Sequence, residues 1–147
     1  MKKYTHAGFT LIELLVVVAI IGLLASIVFA SLGTARGRGA DAAIKGNLSN
    51  ARGQAELFAD GNSNSYSGVC AGAVHSFLLK AASATGAAVN EAAGTTGAPA
   101  TATCHDSAGA WGAEAPLRTA GFWCVDSSGF SSSTAATSLA ASDYACN

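Results

Sequence analysis

"GFTLIELLVVVAIIGLLASIVFASL", Gly8 to Leu32, decides how the rest of the chain is read. From Leu14 to Leu32 there are 19 consecutive residues without a charge. At about 1.5 Å per residue, a helix of that length matches the roughly 30 Å hydrocarbon core of a bilayer. The stretch therefore predicts a membrane-spanning helix, with one carboxylate, Glu13, close to its start. A cleaved secretory signal is the competing reading, with Lys2 and Lys3 as its basic start and Val28-Phe29-Ala30 as a small-residue cleavage site. Two features oppose it. The apolar run exceeds the usual length of about 7 to 15 residues, and an unpaired charge costs about 2.5 to 3.5 kcal/mol at the bilayer centre and less toward its edge. A signal peptide has no use for that cost. An assembling helix does, if Glu13 meets a positive group, and cleavage between Gly8 and Phe9 would create one. The new Phe9 amine would lie one helical turn from Glu13, in its own chain or in a neighbour.

Residues Lys2, Lys3, Gly8, Phe9, Thr10, Leu11, Ile12, Glu13 and Leu14 closely resemble the class III signal of type IV pilins and pseudopilins, a short basic leader followed by G|FTLIEL. The resemblance covers roughly the first 25 to 30 residues; beyond them it is architectural. It implies that a membrane-embedded prepilin peptidase cuts after Gly8 and N-methylates Phe9. It also implies that Glu13 docks on the Phe9 amine of the preceding subunit as a pilin leaves the bilayer. Residues 1–8 would then be a removed leader, 9–35 the transmembrane and filament-core helix, 36–60 its amphipathic continuation, and 61–147 a globular head. Many members carry a proline late in this helix. Here the region reads Ala25-Ser26-Ile27-Val28-Phe29-Ala30, so a more continuous helix is expected, with Gly22 and Gly33 as its soft points.

Past the span, Ile44, Leu48, Ala51, Ala55 and Phe58 fall on one narrow helical face that would pack on the head. Asp41 precedes Lys45 by four, a supportive ion pair, and Arg36, Arg38 and Arg52 are left for solvent or neighbouring subunits. Asp60-Gly61-Asn62-Ser63-Asn64-Ser65 ends the helix. Val74, Phe77, Leu78 and Ala81 suggest a short second helix, Gly86 to Thr103 a small-residue linker, and Thr101–His105, Ala110–Leu117 and Gly121–Val125 strands. A long helix followed by a small antiparallel sheet is an α+β class, as the resemblance also implies.

Half of the 147 residues are apolar, but much of that half is alanine, which buries little area, so a head of this size benefits from covalent staples. Cys70, Cys104, Cys124 and Cys146 all follow the apolar segment and show no C-x-x-C spacing, which reads as two disulfides in an oxidising compartment. Of the three possible pairings, Cys70 with Cys104 and Cys124 with Cys146 are favoured because each closes a local loop; the others stay open. Basic residues flank the span on both sides, so they do not orient it. The cysteines do, by placing the C-terminal part outside and the N-terminus in the cytoplasm.

No catalytic constellation is visible and no cofactor or metal is expected. Cys104-His105 near Cys124 resembles a thiol and imidazole pair, but a cysteine in a disulfide and a histidine on the opposite strand face leave no site. Asp106, Asp126 and Asp143 lack EF-hand spacing and default to solvated carboxylates. From Gly61 onward the head is net −3, which argues against a broad nucleic-acid surface. The expectation is therefore a structural subunit, not an enzyme: a single-pass membrane precursor, in contact with lipid before assembly, that the prepilin peptidase and an inner-membrane assembly platform convert into a helical homo-oligomeric surface pilus. Adhesion, motility or DNA uptake would be roles of the whole system. A type II secretion pseudopilin, or a low-copy minor pilin acting as an adhesin or DNA-uptake component, are the alternatives.

Overall fold

The computed structural model describes residues 8–92, 95–141 and 143–146. The chain divides into two compact units, Met1–Arg36 and Gly37–Asn147. One α-helix, α1 (Leu11–Gly61), has residues in both. In the first unit its large apolar residues from Leu11 to Leu32 are exposed all round, and it is long and apolar enough to cross a membrane. The hydroxyls within the apolar run are satisfied by the helix itself. Ser26 donates to the Leu23 carbonyl at 2.7 Å and Ser31 to that of Ile27 at 3.3 Å. With no proline to remove a donor, the helix is unbroken from end to end.

In the second unit α1 turns one stripe inward: Asp41, Ile44, Leu48, Ala51, Ala55 and Ala59, at the three- and four-residue spacing of a single helical face. Phe58, expected on that stripe, is half-buried at its margin, and Ala59 is buried in its place. The helix stops where Ser63 and Asn64 adopt left-handed backbone and the Asn62 and Asn64 amides close onto the Ala59 carbonyl. Helix α2 (His75–Thr85) ends at Gly86, whose φ of 77° a side chain would resist.

Five strands follow: β1 (Ala88–Asn90), β2 (Thr101–Asp106), β3 (Trp111–Pro116), β4 (Phe122–Asp126) and β5 (Ser131–Thr134). They form one sheet in the order β1-β2-β3-β4-β5, with β1 parallel to β2 and every other pair antiparallel. The three expected strands coincide with β2, β3 and β4 to within about a residue at each end. β1 lies in the stretch expected to be a linker, and β5 in the Ser/Thr run after the last turn. Both are edge strands of small residues, held by ladder hydrogen bonds and carrying no apolar alternation of their own.

The core gathers the α1 stripe, Val69, Val74, Leu78 and Ala81 around Trp111, Ala102, Ala113, Ala115 and Val125 of the sheet. Cys70 is bonded to Cys104 and Cys124 to Cys146. Asp41 does not form the anticipated ion pair with Lys45. Turned inward, it accepts from the Arg118 amide at 2.6 Å and from the Thr119 hydroxyl, both in the β3–β4 connection, while Lys45 lies 4.8 Å from the centroid of the Trp123 ring. A carboxylate on a buried stripe gains more from fixed donors than from a solvated ammonium.

Thr103, Glu114 and Cys124 lie in one cross-strand row, and a strap formed by residues 137–141 and 143–146 is bonded to that face. Its Ser138 and Leu139 amides donate to Glu114, and the Cys146 amide donates to Asp126. Gly112 lets the strap pass. A Cβ there would come within 2.8 Å of the Tyr144 carbonyl oxygen.

Candidate functional site

Gly8, Phe9 and Thr10 form an exposed, non-helical entry to α1, with the Phe9 side chain 84% exposed. Among the described residues nothing lies within 4 Å of the position a Cβ would occupy on Gly8. Thr10 then starts the helix. Its hydroxyl accepts from the Glu13 amide at 3.2 Å and donates to Glu13 Oε2 at 2.7 Å. The Thr10 amide donates to the same oxygen at 2.9 Å. These reciprocal bonds form a capping box, which satisfies two backbone donors that the first turn leaves without helical partners and sets a negative charge at the positive end of the helix dipole. The Thr10-Leu11-Ile12-Glu13 spacing is its sequence signature, which reading Glu13 as an assembly carboxylate alone passes over. Glu13 thus has a partner within its own chain, Thr10, and only its Oε2 is engaged there.

Among its described residues the head offers no comparable reactive grouping. All four cysteines are in disulfides, and among the described residues no three His, Cys, Asp or Glu side chains gather as metal ligands. His105 is buried, with Nδ1 2.9 Å from the Asp143 carbonyl oxygen. A carbonyl only accepts, so Nδ1 carries the proton and holds the strap. His75 Nδ1 lies 2.6 Å from Glu91 Oε1 and ties α2 to the segment after β1.

The tail carboxylates are less solvated than expected. Asp106 accepts from the Cys70 amide at 2.8 Å and Asp143 from the Ala145 amide at 3.1 Å, while Asp126 is 2% exposed. Burial pushes the Asp126 carboxyl up, but hydrogen bonds from Ser128, Cys146 and Phe130 together outweigh it and leave the group below the usual carboxylate range. Glu114 goes the other way. Burial raises it, and the Ser138 and Leu139 donors, all on one oxygen, with His105 nearby, do not bring it back. Its Oε1 has no partner among the described residues.

Stability from Asp126 is present above about pH 3.9 and lost as pH falls through its lowered value. That from Glu114 is present below about pH 4.3 and lost as pH rises through its raised one. Glu114→Gln keeps an oxygen for the strap and removes the titration. Thermal melts between pH 4 and 8 are expected to show a stability fall above mild acid that is flatter in the variant, which melts higher at neutral pH. Parallel wild-type and variant curves would contradict the assignment.

Residues 4–29 match a protein-family model described as the prokaryotic N-terminal methylation motif. No curated protein and no solved structure matches the chain.

Proposed function

We propose that this chain, which carries at residues 4–29 the N-terminal methylation motif of type IV pilins and pseudopilins, is the structural subunit of a type IV pilus. One observation supports this above the others: an apolar helical surface exposed all round from Leu11 to Leu32, with the single carboxylate Glu13 at its entry. Such a surface suits two surroundings, lipid and other helices like itself. In the membrane it anchors the precursor, with the leader on the cytoplasmic side and the disulfide-bonded head outside. A prepilin peptidase cuts between Gly8 and Phe9, and the new amine stays cationic after N-methylation.

That amine meets Glu13 of a neighbouring subunit. Because the capping box occupies only Oε2, the second carboxylate oxygen can take the ammonium without the helix start coming apart. Removing one partner would leave the other charged and unpaired in an apolar setting, so the pair acts chiefly on register. Adhesion between subunits comes from burial of the apolar helix at about 25 cal/mol per Å². The contact is head-to-tail and does not close, which gives a filament.

Fractionation of the producing cells tests the reading. The processed chain should be abundant in filaments sheared from the surface. Processed chain confined to the membrane fraction would contradict it and favour a secretion-system pseudopilin.

A further inference from the structure

An open groove of about 250 Å³ lies where the end of α2 meets the end of β3, lined by Gly86, Pro99, Pro116, Leu117 and Arg118 among others. Its lining residues are mostly apolar, and the exposed Arg118 is one of them. Only two cations occur from Gly61 onward, and the other, Lys80, lies 5.5 Å from the centroid of the Phe77 ring. Arg118 has no ion-pair partner among the described residues.

The same unit carries a complementary feature elsewhere. Near the end of α1, Leu57 is 64% exposed, the most exposed large apolar side chain in that unit, and the exposed acids Glu56 and Asp60 flank it. Glu56 accepts from the Tyr66 hydroxyl at 2.8 Å, and Asp60, three residues on from Leu57, has no ion-pair partner among the described residues. An apolar side chain beside a carboxylate answers an apolar groove beside a guanidinium.

Resting on the pilus reading, we propose that the groove at Arg118 receives the Leu57–Asp60 end of α1 from a second copy of this chain, with Leu57 in the groove and Asp60 paired to Arg118. The two features lie at different levels of one molecule. The Arg118 amide is bonded to Asp41, and Leu57 follows sixteen residues later, about 24 Å along the helix at 1.5 Å per residue. A copy displaced by about that distance brings its Leu57 to the groove's level and presents its own groove to the next copy. A surface projection that fits a pocket elsewhere on the same molecule makes a non-closing contact, as a filament needs.

Charge exchange in the full-length chain, expressed in the producing cells, tests the contact. Arg118→Asp and Asp60→Arg are each expected to reduce sheared filaments about tenfold by setting like charges together, and the double exchange to restore them to within about twofold. Thermal melts of each purified variant identify folded chains. Folded single variants that assemble like wild type overturn the contact, and so does a folded double variant that is not restored. If wild type itself yields no sheared filaments, the pilus reading fails, and the contact fails with it.

Discussion

Filaments are expected to be lost from Glu13→Ala while membrane insertion is kept, with sheared material falling by about tenfold or more, the scale set by stranding one partner of a desolvated charge pair. The alanine helix is more apolar, and removing a carboxylate from a span eases insertion by up to about 2.5 to 3.5 kcal/mol. A failure to reach the membrane therefore cannot explain the loss. The capping box supplies a competing explanation, because alanine also removes the acceptor for the Thr10 amide and hydroxyl. Glu13→Gln separates the two roles. Glutamine at this position still closes a capping box but carries no charge. If the charge sets register, the glutamine variant assembles as poorly as the alanine variant. Normal filaments from the glutamine variant would reduce Glu13 to a helix cap, and the proposed pairing with the Phe9 amine would fall.

The second large effect lies in the head. Replacing Cys124 and Cys146 together by serine is expected to lower its unfolding free energy by about 3 kcal/mol, from the loop-closure entropy that a bridge over 22 residues removes from the unfolded chain. The covalent tie is not the only thing holding this strap. Cys146 also donates its amide to Asp126, and Ser138 and Leu139 reach Glu114. The strap of the variant should stay bound under native conditions and exchange its amide hydrogens faster from Leu139 onward. Denaturant melts of the full chain in detergent, with hydrogen exchange of the strap, check both statements. A loss below about 1 kcal/mol would mean that the hydrogen bonds alone define the strap.

Much of this architecture was legible because the relevant signals are local. An apolar run of spanning length, the buried stripe through Ile44, Leu48, Ala51 and Ala55, and the polar turn after Asp60 each announce themselves within a short window. The central strands carry Trp111, Phe122, Trp123 and Val125, and these residues mark them at nearly their observed bounds. What escaped depends on distant partners. β1 and β5 are strands because β2 and β4 offer them an edge, and Ala-Val-Asn or Ser-Ser-Ser-Thr alone has no such signal. Asp41 and Asp126 read as surface acids until loops and the strap bring amides to them. Glu114 escaped for a related reason, since nothing in Gly-Ala-Glu-Ala-Pro says that residues 138 and 139 will cover it. The capping box at Thr10 and Glu13 is different: its four-residue signature is local and legible in the sequence.

Intact mass and N-terminal fragmentation of the chain recovered from producing cells test the central claim most directly. The account expects a polypeptide that begins at an N-methylated Phe9 and carries two disulfides. A polypeptide beginning at Ser31, after the small-residue site Val28-Phe29-Ala30, would contradict it, because the apolar segment would then be a discarded export signal and Glu13 would have no subunit to align.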